Sequence, residues 1–202
     1  MDNRTKIATA ATVVKKANKK AAFDILLSII DSEERPSDID LAALYSFFLP
    51  PVTKIKTPFD WLVKARANKD VRYYLNYVFS DGKRSMATNG HTLHVIDSER
   101  VEGFYNDAGQ RVDNGDMGKF PDIDRVIPEN DGTRTVLNVS ELKLTVSVKT
   151  TCYIMPDGYG MNKTYLDNAI GLSNDYEITY KDSRCLINHK AGGLAVVMGI
   201  RL

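Results

Sequence analysis

The sequence contains no run of 18 or more apolar residues, so no membrane-spanning helix is expected. Cysteine is scarce. Cys152 and Cys185 are the only two and form no C-x-x-C pair, which reads as two partly buried thiols in a reducing compartment. His91, His94 and His189 lack metal-type spacing, so neither a metal nor another cofactor is expected. Charge of either sign is not in excess: 27 Lys and Arg stand against 26 Asp and Glu, a net charge of +1. The protein as a whole is therefore not a polycation. The opening residues, Met1-Asp2-Asn3-Arg4-Thr5-Lys6, lead into no apolar block with a cleavage site. No secretory signal is expected, and the cytoplasm is the default location. Catalytic signatures are missing too. There is no Ser-His-Asp grouping, P-loop or G-x-G-x-x-G, and Gly158-Tyr159-Gly160 is too short to cradle a phosphate. His91 and His94 would face opposite sides of a strand and make poor co-ligands. The chain is read as non-catalytic.

What is present is an ordinary globular composition, 43% hydrophobic and 26% charged over 202 residues, enough for one domain or two small ones. Residues 5–31 carry Ile25, Leu26, Ile29 and Ile30 at helical spacing among alanines. The first half of that stretch is basic, and Lys15, Lys16, Lys19 and Lys20 are candidate contacts to a DNA backbone, set against the plainer reading of a solvated helix face. Ser37 caps a second predicted helix to about Phe48, which Pro50-Pro51 stops. Residues 1–50 are thus expected to be a helical arm distinct from the rest of the chain.

From Val52 the texture changes. A short strand is predicted over 52–56. Thr57-Pro58 then fits an N-cap with proline at the first helical position, opening a helix to about Asn68. Strands are predicted at about 71–79, 83–88 and 92–97, with a hairpin inside the polar stretch 98–118. Thr135–Val139 and Lys143–Tyr153 look extended. A helix is predicted from Asn162 or Thr164 to about Leu172, then strands at about 175–181, 184–189 and 193–201. Both parts read β-α-β-β-β, a repeated unit, and the fold class is α+β.

Five segments carry a resemblance. They are Asp70-Val71-Arg72-Tyr73-Tyr74-Leu75-Asn76; Ala87-Thr88-Asn89-Gly90-His91-Thr92-Leu93; Gly118-Lys119-Phe120-Pro121-Asp122 through Arg125-Val126-Ile127-Pro128; Gly160-Met161-Asn162-Lys163-Thr164-Tyr165-Leu166-Asp167; and Val196-Val197-Met198-Gly199-Ile200-Arg201-Leu202. In this order they resemble the bacterial DNA polymerase III beta subunit, the sliding clamp. The chain is much shorter than that family's three-domain protein, and nothing in it resembles the first clamp domain. Asn89, Thr92, Ile123 and Gly199 depart from the family's Asp, Arg, aromatic and Pro.

The resemblance implies a DNA-clamp domain over 51–202, with halves of about 51–118 and 129–202 joined by the 118–128 linker. It implies a groove that binds clamp-binding peptide motifs of polymerase and other replication proteins. Position by position, its walls would be Leu75, Gly90, His91, Thr92, Leu93, Pro121, Arg125, Val126, Val196 and Met198. Asn162 and Tyr165 would stand at the rim, with Arg72 and Tyr74 beside it. The chemistry suits an apolar peptide, because thioether and branched side chains adapt to ligands while arginines anchor carbonyl or carboxyl groups. Gly90 is expected to allow close backbone approach. The resemblance leaves two functions open. One is a sliding-clamp-like processivity factor, a homo-oligomer around double-stranded DNA, of phage or mobile-element origin and acting in the bacterial host cytoplasm. The other is a peptide-binding adaptor or decoy that keeps the groove and forms no ring.

Overall fold

Helix α1 (Pro58–Val63) starts where its capping signal lies. Asp60 N donates to Thr57 Oγ1 at 3.1 Å, Thr57 N donates back to Asp60 Oδ2 at 2.9 Å, and Pro58 occupies a first-turn position whose N–H no helix needs. The structure, a computed structural model, describes residues 55–113, 115, 117–129, 132–147 and 150–202. The predicted arm over 1–50, with Lys15, Lys16, Lys19 and Lys20, and most of the predicted strand at 52–56, lie outside the described residues. Among the described residues no helix is long and apolar enough to cross a membrane.

Lys143–Ile154 falls in one compact unit, and the remaining described residues form the other. In the smaller piece, β7 (Leu144–Ser147) and β8 (Thr150–Ile154) pair antiparallel with Leu144 opposite Tyr153. The single extended run predicted over 143–153 is therefore a hairpin, and the alternation of Leu144 and Val146 belongs to its first strand alone.

The larger unit holds a nine-stranded antiparallel sheet. Its strands are β1 (Val78–Ser80), β2 (Arg84–Thr88), β3 (Thr92–Asp97), β4 (Gly103–Tyr105), β5 (Arg111–Val112), β6 (Thr135–Val136), β10 (Tyr176–Lys181), β11 (Arg184–His189) and β12 (Leu194–Met198). The spatial order is β5-β4-β1-β2-β3-β12-β11-β10-β6. β9 (Gly160–Asn162) precedes helix α2 (Lys163–Ile170), whose N-terminus is capped by Asn162 Oδ1 accepting from Tyr165 N at 3.2 Å. The two halves of the sheet join where β3 pairs with β12, with Val95 opposite Leu194 and Thr92 opposite Val197.

Both faces of the central strands are buried, so β2, β3, β11 and β12 show continuous buried runs rather than clean alternation. Met86, Leu93, Val95, Leu186 and Val196 share one face with Phe120 and Ile123 of the linker. α1 and α2 pack on the strands as well. Trp61 of α1 is fully buried, stacks on His94 at 4.1 Å and meets His189 edge-on at 5.4 Å. Its indole N–H donates to the carbonyls of Asn168 (2.8 Å) and Ala169 (3.2 Å), tying α1 to α2.

Two predicted boundaries shift. α1 ends at Val63, short of Asn68, because the chain after it is drawn off by Ala67 N donating to Leu75 O at 2.8 Å. The predicted strand at 71–79 shrinks to β1, preceded by a 3-10 turn at Tyr73–Asn76. A local polar ring takes this backbone out of the sheet. Asp70 N donates to Asn76 Oδ1 and Asn76 Nδ2 to Asp70 O, both at 2.9 Å, while Lys69 adopts φ +59°.

The Trp61 cluster generates two expectations. Trp61→Phe removes the indole donor that ties α1 to α2, while Ala169 O stays within 2.9 Å of His189 Nε2 and Asn168 O keeps the N–H of Gly171, so it should cost about 0.5–1.5 kcal/mol, read from urea unfolding. His94 is buried with Nδ1 2.8 Å from Trp61 O, and burial pulls its pKa down to about 3, opposed by that hydrogen bond. An unfolded histidine titrates near ~6.5, so the unfolded chain binds more protons below that pH. Stability should be full above about pH 6.5 and fall by about 1.4 kcal/mol per unit toward pH 3 for this one proton. The acid slope should be shallower in His94→Gln.

Candidate functional site

A groove of about 210 Å³ opens on the sheet face that the linker crosses. Four segments build it: the 3-10 turn at Tyr73–Asn76, the corner from Thr88 to Leu93, the linker from Pro121 to Val126, and β12. Leu75, Leu93, Ile123 and Val196 are almost fully buried in its floor, while Val126 and Met198 are 43% and 40% exposed. That contrast suits a docking surface, a rigid apolar base with adaptable side chains at the mouth.

The corner is held by its own polar groups. Asn89 Oδ1 accepts from His91 N at 2.8 Å and Thr92 N at 3.0 Å, and Thr88 Oγ1 donates to Thr92 O at 2.7 Å. Gly90 sits at φ +89°, a conformation side chains disfavour. A Cβ there would meet nothing nearer than Arg72 Nη2 at 3.8 Å. Its glycine thus answers to backbone conformation.

The linker is pinned from below and from the side. Ile123 is buried in the apolar cluster, and Asp122 caps the 3-10 turn Ile123–Arg125. Arg84 of β2 reaches Asp124 with two hydrogen bonds, at 2.7 and 3.2 Å, and also meets Asp81 at 3.3 Å. Met198 is fixed by backbone bonds around it: its N–H donates to His91 O at 2.9 Å, and Gly199 N donates to Ser183 O at 2.7 Å. A Cβ at 199 would lie 2.9 Å from Ser183 O, and a proline would lose the donor, so the departure to glycine has a steric and a hydrogen-bonding reason.

Of the residues expected in the groove, Arg72, Tyr74, Leu75, Gly90, His91, Thr92, Leu93, Pro121, Val126, Val196 and Met198 line it. Thr92 pairs with Val197, one step along from the Leu93–Val196 pair, so its side chain lies on the opposite sheet face from theirs. That side chain is 3% exposed, and its hydroxyl has no partner among the described residues. Arg125, expected in the wall, does not line the groove, and neither do Asn162 and Tyr165, which were expected at its rim. Arg125 points to solvent, 83% exposed, with Nε on Asp122 Oδ2 at 3.1 Å. Asn162 is occupied as the α2 cap, and Tyr165 stacks on His91 at 6.2 Å. Thr88, Asp122 and Ile123 line it and were not among the expected residues. The parity of Thr88 with Leu93 across the β2–β3 turn was the signal that would have found the first.

The polar chemistry here is that of recognition. Arg72 holds Asp70 through Nε–Oδ1 at 3.0 Å and Nη2–Oδ2 at 2.9 Å, and these hydrogen bonds bring the Asp70 carboxyl down to about 2. Among the described residues no group of three or more His, Cys, Asp or Glu is placed to hold a metal ion.

No protein-family model and no curated protein matches the sequence. Solved structures do. The DNA polymerase sliding clamp of Pseudomonas aeruginosa, solved with a ligand, matches 71% of this chain at 20% identity and a TM-score of 0.50. The sliding clamp of Bartonella birtlesii bound to griselimycin matches 71% at 19% identity and 0.50. The DNA polymerase III beta subunit of Thermotoga maritima matches 77% at 17% identity and 0.50. The match spans 64% of the Pseudomonas and Bartonella chains and 69% of the Thermotoga chain. The chain therefore has the fold of the DNA polymerase III beta sliding clamp.

Proposed function

We propose that this protein is a non-catalytic, clamp-like replication factor that binds clamp-binding peptide motifs of a DNA polymerase or other replication proteins in the groove. The observation that carries this reading is the convergence of eleven expected residues, drawn from four separated segments, on one apolar groove. Burying two or three apolar anchors at roughly 1.5–3 kcal/mol each, less the cost of ordering, corresponds to about micromolar affinity. In this reading the protein acts in the cytoplasm of a bacterial host, a phage-encoded processivity factor assembled as a homo-oligomer around double-stranded DNA.

A second reading is an adaptor or decoy that keeps the groove and closes no ring. One observation favours it. The chain's charge is balanced outside the arm: 7 of the 27 basic and 7 of the 26 acidic side chains lie in the first 50 residues. A ring lining needs a positive surface for phosphate, and Lys15, Lys16, Lys19 and Lys20 are the candidates to supply it.

Fluorescence anisotropy with labelled clamp-motif peptides should give about micromolar dissociation constants. Met198→Ala should weaken binding roughly tenfold, while Val136→Ala, on an exposed edge strand away from the groove, should not change it. Absence of binding to every clamp-motif peptide would overturn both readings. Light scattering coupled to size exclusion separates them. A defined closed oligomer supports the processivity factor, and a monomer at micromolar concentration supports the decoy.

A further inference from the structure

The charges of the groove are matched before any ligand arrives. Among the described residues Arg72 is the only lysine or arginine that lines it, and Asp70 grips it along one edge through Nε and Nη2. Asp70 is itself fixed, its Oδ1 also accepting Arg72 N at 2.9 Å. Its carboxyl, held near 2 chiefly by the Arg72 hydrogen bond, stays ionised throughout the neutral range. Arg72 Nη1 makes no hydrogen bond to a described residue, so a donor remains although the charge is neutralised.

The linker wall repeats the pattern. Asp122 lines the groove and takes the Arg125 Nε on its outer side. Arg84, which ties the linker's underside to β2, is divided between Asp81 and Asp124. Among the described residues, a carboxylate entering the groove thus finds no unmatched cation on its walls and meets a carboxylate on one of them. A neutral carbonyl finds an N–H donor at Arg72 and apolar surface beyond it.

We propose that the groove takes a neutral, apolar peptide segment whose main-chain or carboxamide carbonyl binds Arg72, and that it discriminates against free C-terminal carboxylates and acidic side chains. The inference rests on the peptide-groove reading and adds the ligand's chemistry to it. Its physical basis is the asymmetry between groups. A carboxylate loses its water without gaining a net opposite charge, whereas a carbonyl exchanges one hydrogen bond for another.

The test uses the full-length protein at pH 8. The probes are one clamp-motif peptide ending in a C-terminal amide, the same peptide with a free carboxylate, and an amide form with aspartate beside an apolar anchor. The amide form should bind tighter than either acidic form by roughly fivefold or more. Asp70→Asn keeps the oxygen that Arg72 N uses and unmatches the Arg72 charge, so it should narrow the gap. Asp122→Asn should narrow it independently, without touching Arg72. Equal or tighter binding of the carboxylate forms overturns the proposal, as does a gap unchanged in both variants. Failure of the amide form to bind at all overturns the groove reading itself, and a loss of selectivity alone leaves that reading standing.

Discussion

The pairing of β3 with β12 is the constraint on which the rest of the structure depends. It places Leu93 beside Val196 on one face and His94 beside Ala195 on the other. The first pair is groove floor, and the second lies under Trp61. A slip of one residue would exchange the two faces. Leu93 and Val196 would leave the groove, and His94 would leave the indole that stacks on it. One register therefore sets both the binding surface and the core that joins α1 to α2. The Trp61 indole reinforces it from a distance, since its N–H reaches the α2 carbonyls of Asn168 and Ala169 across 107 and 108 residues of chain.

Around this seam the groove walls are loops held by polar groups. The Asp70–Asn76 ring shapes the turn that delivers Leu75 and presents Arg72. Asn89 shapes the corner, Asp122 caps the linker turn, and Arg84 ties that turn to β2. Each device satisfies polar groups that a loop would otherwise leave to water, and each fixes a segment that faces the groove. The same devices use up charge. Arginines that position loops are paired with the aspartates that hold them, and the surface offered to a ligand is close to neutral.

Much of this was legible in residues alone. Thr57-Pro58 announced α1, the apolar spacing after Asn162 or Thr164 announced α2, and the strand positions 83–88, 92–97, 175–181 and 184–189 were readable as apolar runs between turns. The likeness of five ordered segments to the sliding clamp foretold the fold, and eleven of the residues named from it line one cavity. The errors were local. Tyr73, Tyr74 and Leu75 have strand-like composition, but the side chains of Asp70 and Asn76 capture the backbone first. Lys143–Tyr153 carries the pattern of one strand and folds back as a hairpin.

Element type was determined by the sequence, because caps, prolines and apolar runs act within a few residues of themselves. Tertiary structure decided the rest. Thr92 adjoins Leu93 in the chain, yet its side chain lies on the opposite face because the pleat alternates. Arg125 sits in the matching segment, yet turns outward because Asp122 takes its Nε. Thr88, Asp122 and Ile123 join the groove through strand parity and linker placement, neither of which is carried by residue type. The Trp61–His94–His189 cluster depends on contacts between residues more than 30 positions apart, which only the closed sheet brings within range.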